Sequence, residues 1–194
     1  MSASARTDRR RRLIAALHRH DIAGDVAVAV HTLGIRLRDT TARTRKETGA
    51  LVNVRTGAHH GPTLAGTARS LELGPLLRDL PPGEQFICVH THPDGGSFSP
   101  EDAALVIRFR AICVITAVER QGGWYILSLA LGHPPPSPQQ ILEAFEAERD
   151  ATVHRYRDLV QSGALKRVEA QRQHSHQVWE KIAPALGLRY DRVT

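Results

Sequence analysis

The stretch CVHTHPDGGSFSPEDAA, Cys88 to Ala104, leaves the backbone few choices. The β-branched and aromatic content of Gln85–His92 predicts a strand. Pro93 and the pair Gly95–Gly96 interrupt it and form a loop. Ser99-Pro100-Glu101-Asp102 then has the pattern of a helix start: serine at the cap, proline at the first helical position, acids in the first turn. The helix is expected to run to about Arg108. Strand, loop and helix within one short span also set where side chains point. Alternate residues of a strand share a face, so His90 and His92 project the same way.

Two imidazoles on one strand face can meet one cation. A third ligand has to come from elsewhere, and the short loop PDGGSF can return Asp102 to them. Two histidines and one carboxylate around Zn²⁺ leave a fourth position for water, the open arrangement of a catalytic zinc. Zinc brings the pKa of such a water toward neutrality, and a base must take its proton. Glu47, in RKETGALVNV just before an expected strand, is one candidate; Glu72, Asp79 and Glu84 are others, and spacing alone does not choose among them.

Each residue also has a plainer reading. Ser99 is a good cap whether or not metal is present. His90 and His92 taken alone would be ordinary core or surface histidines, and Glu47 a solvated acid at a strand end. The joint pattern is what favours chemistry. His174 and His176 repeat the His-x-His spacing within an expected helix, where residues two apart diverge by about 200°, so they read as solvated surface rather than a metal pair. His59 and His60 fall in the turn RTGAHHGPT, either near a cleft rim or simply exposed. Cys88 shares parity with His90 and points inward, but that spacing creates no activated thiolate. Trp124 and Tyr125 are expected to pack a hairpin.

The rest of the chain alternates strands and helices and then becomes helical. Leu13, Ile14 and Leu17 share a helical face. GDVAVAVHTLGIRL, Gly24 to Leu37, fits a strand through Val26, Val28 and Val30, yet its alanines fit a helix equally well. Gly49–Val54, the run AICVITAV and the run WYILSLAL read as strands, the last two joined by the hairpin loop ERQGG. Residues 71–80 suggest a short helix. GHPPPSP, Gly132 to Pro138, is a stiff break. Two helical stretches follow, about 138–161 and 165–186. The expected division is a basic arm and helix over 1–23, a core over 24–137 and a helical extension over 138–194, in an α+β or three-layer arrangement.

Length and composition agree with that plan. The 194 residues are 41% hydrophobic and 24% charged, enough for one packed core and unlike a disordered chain. No apolar run is long enough to span a membrane, and the apolar stretch after the N-terminal arginines is too short for a secretory signal, which points to the cytoplasm. Cys88 and Cys113 lie far apart within apolar runs, as buried free thiols do. The net charge of +6 is concentrated in residues 1–48, around Arg9–Arg12. A basic arm can touch nucleic acid, but no aromatic residues interleave with this one to stack on bases, which argues against that partner.

Glu47 in ETGALV, followed by His90, His92 and Pro93 in HTHP and by Ser99 and Asp102 in SPED, resembles the JAMM (JAB/MPN+) metallopeptidase pattern over roughly residues 24–132. The resemblance implies a curved mixed sheet flanked by helices, related to the cytidine-deaminase layout. It implies Zn²⁺ held by His90, His92 and Asp102, with Glu47 as proton shuttle and Ser99 as oxyanion donor. It also implies hydrolysis of a peptide or isopeptide bond in a protein or peptide substrate, ubiquitin-like tags among them. The His-x-Glu and Pro-Cys-x-x-Cys signature of the deaminases is absent. Six residues, Pro93 to Phe98, separate His92 from Ser99, one fewer than in the common pattern, which bears on where Ser99 aims. Ser97 is an alternative donor that lacks the Ser-x-x-Asp spacing. A second reading from another class is a non-catalytic MPN-like adaptor that binds a partner through its helical tail.

Overall fold

The computed structural model describes residues 3–68 and 70–194. Its centre is a six-stranded mixed sheet in the order β2-β1-β3-β4-β5-β6. The strands are β1 (Thr48–Asn53), β2 (His59–Ala65), β3 (Phe86–His92), β4 (Ile112–Glu119), β5 (Trp124–Leu129) and β6 (Leu188–Val193). Only β3 and β4 pair in parallel; the other neighbours are antiparallel. A parallel pair needs a crossover. Here it is the Gly-rich loop and helix α4 (Pro100–Arg108) of the opening motif.

Helices cover both faces. On one face lie α1 (Ala3–Arg19) and α2 (Gly24–Thr44). On the other lie the short α3 (Gly74–Leu77), α4, α5 (Pro138–Gln161) and α6 (Arg167–Ile182). The period-two alternation of β3 separates the two cores. Ile87 and Val89 join the core beneath α1 and α2, whereas Phe86 and Cys88 join the core beneath α4–α6.

The ambiguous stretch from Gly24 is helical. Its buried residues are Val26, Ala27, Val30, Leu33, Gly34, Leu37 and Thr41, a 3.6-residue stripe. Gly34 is small for a reason: a Cβ there would stand 2.1 Å from Cη2 of Trp124, so α2 rests directly on the indole. Trp124 and Tyr125 are fully buried, as the hairpin reading expects. Arg10–Arg12 are exposed on α1, whose Leu13, Ala16 and Leu17 are buried, whereas Arg9 is partly buried against the β4–β5 hairpin and donates to the Gln121 carbonyl at 3.0 Å.

Two local expectations need correction. The turn expected over Arg55–Thr63 is shorter, and His59–Ala65 forms β2, an exposed edge strand whose histidines, glycine and proline carry no strand signature. The last residues, expected only to end the chain, form β6. The segment 138–194 is therefore not wholly helical, and β6 pairs with β5 along its whole length. Ile141, Phe145, Val178, Trp179 and Ile182 of the same segment stand in one apolar cluster with Cys88, Phe98 and Tyr125. Burying side chains of this size contributes about 1.5–3 kcal/mol each. Among the described residues no helix is long and apolar enough to cross a membrane.

Candidate metal centre

His90 and His92 sit on the last turn of the pleat in β3, at the carboxyl end of the parallel pair. Their Nε2 atoms approach to 2.9 Å. Asp102, on the first turn of α4, faces both: Oδ1 lies 3.6 Å from Nε2 of His90 and Oδ2 lies 3.6 Å from Nε2 of His92. One atom from each residue thus falls within 4.8 Å of the others, a group able to hold a metal ion. Tetrahedral zinc with ligands at about 2.0–2.1 Å separates neighbouring ligand atoms by about 3.3 Å. The observed spacings bracket that value.

The surroundings prepare these atoms. Nδ1 of His92 meets the Gly96 carbonyl at 3.1 Å. A carbonyl only accepts, so neutral His92 carries its proton on Nδ1 and leaves a lone pair on Nε2 toward the shared point. Asp102 Oδ2 accepts from the backbone N–H of Ser99 and from its hydroxyl, each at 2.9 Å, while the Asp102 N–H donates back to Ser99 Oγ at 3.1 Å. This is a capping box with aspartate in the role usually taken by glutamate or glutamine. Cap and candidate ligand are the same side chain. His90 turns Nδ1 toward the backbone of Thr116 without closing a full hydrogen bond.

Electrostatics follow from this packing. Burial pushes His90 down to about 4, keeping it neutral against the pull of Asp102. Burial also opposes charge on His92, but the Asp102 carboxylate beside it wins and raises it. Asp102 behaves in the opposite sense: burial would raise it, and the two imidazoles with the Ser99 N–H hold it well below the usual carboxylate range.

Glu47 joins from the neighbouring strand. Gly49 pairs with His90 across β1 and β3, and continuing that register sets Glu47 opposite His92 on the same face. Gly49 clears the space, since a Cβ there would lie 2.3 Å from Leu71 Cδ2 and 3.2 Å from His90 Cβ. Burial, with Asp102 and Asp94 nearby, raises Glu47 to about 7, against the lowering effect of His92. Glu47, His92, Ser99 and Asp102 line one cleft of about 560 Å³ together with Leu71 and Ser97. Glu72, Asp79 and Glu84 do not line it, and Glu84 is instead engaged by Asn53 and Arg55.

Other sequence candidates fall elsewhere. His59 and His60 pair with Val52 and Leu51, toward the far end of β1, and His60 packs on Phe86 with ring centroids 4.8 Å apart. Cys88 is fully buried, and burial pushes its thiol up, away from reactivity. His176 is not a solvated surface residue: its Nδ1 meets the Tyr190 hydroxyl at 3.0 Å. Ser97 is occupied as well, its Oγ 2.7 Å from the Tyr190 hydroxyl and its N–H donating to Ser175 Oγ at 2.9 Å.

Sequence reasoning missed the residues that hold the loop. Trp179 Nε1 donates to the Phe98 carbonyl at 2.7 Å, so α6 and β6 grip Ser97 and Phe98 from one side. Behind β3, the hydroxyls of Thr41 and Thr91 lie 2.6 Å apart and the Thr48 N–H donates to Thr91 Oγ1 at 2.9 Å, tying α2 and β1 to the residue between the two histidines. These partners are threonines, a serine, a tryptophan and a tyrosine at long separations, with no local spacing to mark them. No protein-family model matches the chain, and no curated protein or solved structure matches it.

Proposed function

We propose that the chain is a zinc-dependent hydrolase of peptide or isopeptide bonds, of the JAMM type. One observation carries this reading: two imidazole nitrogens and a carboxylate converge at one end of a cleft that Glu47, raised to about 7, also lines. His90, His92 and Asp102 would hold the ion, and their nitrogen and oxygen donors suit zinc. Zn²⁺ held there lowers the pKa of a water toward neutrality and polarises a carbonyl oxygen.

The chain's own residues supply the proton transfers. Glu47, titrating near neutrality, accepts a proton from the attacking water and returns it to the amine nitrogen as the C–N bond breaks. Ser99 supplies an oxyanion donor by rotation of its hydroxyl hydrogen alone. Its Oγ keeps accepting from the Asp102 N–H while the hydrogen turns from Asp102 Oδ2 to the cleft. The loop that is one residue short therefore leaves Ser99 at the cleft wall. Ser97, held by Tyr190, does not compete for that role.

The test pairs metal analysis with Glu47→Gln, using the variant to trap a substrate for identification by mass spectrometry. Expected are near-stoichiometric zinc in both proteins and a loss of hydrolysis of about 10²–10⁴-fold in the variant. A zinc-free protein, or hydrolysis untouched by Glu47→Gln, ends this reading.

A further inference from the structure

A second pocket, of about 490 Å³, adjoins the metal cleft and shares Pro93, Asp94 and Gly95 with it. Its other lining residues are Glu119, Arg120 and Gln121, from the end of β4 and the hairpin that follows. Glu119 is the partner of His92 in the parallel ladder and therefore projects beside it on the same face. The residue is only 7% exposed. Yet among the described residues its carboxylate makes no hydrogen bond and no ion pair, and its environment opens on this pocket. The residue is packed, but its two oxygens are left to the pocket and its water rather than to a protein partner, so a cation entering there finds a free acceptor.

The backbone is shaped around that carboxylate. A Cβ on Gly123 would stand 2.0 Å from Glu119 Oε1, and one on Gly95 would stand 3.6 Å from Oε2. The group is thus flanked by the metal loop on one side and the β4–β5 hairpin on the other. Asp94 adds a second, exposed carboxylate at the mouth. Arg120 lines the wall, exposed, and among the described residues it forms no ion pair with either acid. The volume is that of a small organic group, far larger than a bare cation needs. Two carboxylates also fall short of the six or more oxygens that calcium takes.

We propose that this pocket is a subsite for a cationic side chain, a lysine ammonium or an arginine guanidinium, of the polypeptide lying in the adjoining cleft. Glu119 at its floor is the specificity-determining group and Asp94 steers the cation at the mouth. That this polypeptide is the one hydrolysed rests on the function proposed above; the pocket's preference for a cation does not.

The experiment reads binding without turnover. Zinc-loaded, isotope-labelled protein is titrated with n-butylammonium, n-butylguanidinium and, as a neutral probe, n-butanol, following the amides of Gly95, Gly122 and Gly123. Both cations should give saturable shifts at those amides and n-butanol none; the tighter of the two cations distinguishes lysine from arginine. Glu119→Gln, which keeps the side-chain shape, should weaken cation binding at least tenfold while zinc binding is retained. Arg120→Glu, at an exposed position, should tighten it several-fold. Shifts equal for n-butanol, or cation binding indifferent to both substitutions, would overturn the subsite. Saturable cation binding without hydrolysis of any peptide would uphold the subsite and remove the hydrolase reading; hydrolysis without cation binding would do the reverse.

Discussion

The hydroxyls of Ser97 and Tyr190, 93 positions apart in the chain, meet at 2.7 Å, and the Tyr190 hydroxyl is also 3.0 Å from Nδ1 of His176. The loop between the metal-side histidine and the capping serine is therefore held from the last strand of the sheet. Tyr190→Phe removes the shared hydroxyl and leaves two polar groups without it. The expected cost is about 1–3 kcal/mol, seen as a lower Tm and faster amide exchange at Gly96–Phe98. Trp179→Phe, which strips the donor from the Phe98 carbonyl, should loosen the same amides. Unchanged exchange in both variants would mean the loop holds its shape without α6 and β6.

Metal binding should act on stability, because three ligands from two elements are tied together only in the folded state. Zn²⁺ at a hundredfold excess over its Kd stabilises by about 2.7 kcal/mol. In a chain of this size that raises Tm by roughly 5–10 °C. His92→Ala and Asp102→Asn should abolish the rise, and a chelator should reverse it in the unmutated protein. Calorimetry with and without zinc decides this, and a Tm indifferent to zinc in the unmutated chain removes the centre.

Glu47 carries a testable pH signature in the metal-free protein. Burial raises it to about 7, so carbon-detected titration of its carboxyl should show a midpoint near there rather than near 4.3. The sign for stability is unfavourable at high pH: the contribution is intact below the unfolded-state value and is lost as pH rises through about 7. Glu47→Gln should flatten that part of the stability profile. For catalysis the sign is reversed, since the proton acceptor exists only above its pKa; hydrolysis should fall on the acid side. A midpoint near 4 would contradict the desolvated position.

At the opposite end of the molecule, Asp191 of β6 joins α1 to the sheet edge. It accepts from Arg19 Nη2 at 2.6 Å and lies 3.1 Å from Nε2 of His20. Burial would raise this carboxyl, but His20 and Arg19 overcome it and lower it. A depressed carboxylate stabilises above its unfolded value near 3.9 and loses that contribution as pH falls through the folded value. Asp191→Asn should therefore be less stable than the unmutated chain at pH 6, with the two converging in strong acid. Parallel denaturation curves across that range check it.

Much of the site was legible from local pattern. Gln85–His92 is rich in β-branched and aromatic residues, so the shared face of His90 and His92 follows from strand geometry alone. Ser99 to Asp102 caps a helix by composition alone, and the structure adds that the capping Asp102 also stands in the group able to hold a metal ion. The stretch from Gly24 was undecided because alanine and valine satisfy both periods; burial under Trp124 and the sheet selects the helix. β2 and β6 escaped notice because edge strands need little apolar alternation: their pairing comes from the neighbouring backbone.

By itself the sequence determined the strand–loop–helix unit, its two histidines on one strand face and its capping acid, since those depend on interactions within a few residues. Its apolar content also showed that the chain could bury a packed interior, though not that the sheet would divide it in two. Tertiary structure decided the rest. It chose Glu47 over other acids, because antiparallel register with β3 sets it opposite His92. It recruited Thr41, Trp179, Tyr190 and Glu119 to the back, the grip and the flank of the cleft. Those contacts span tens of residues, and a single chain of letters records no distance between positions that only folding brings together.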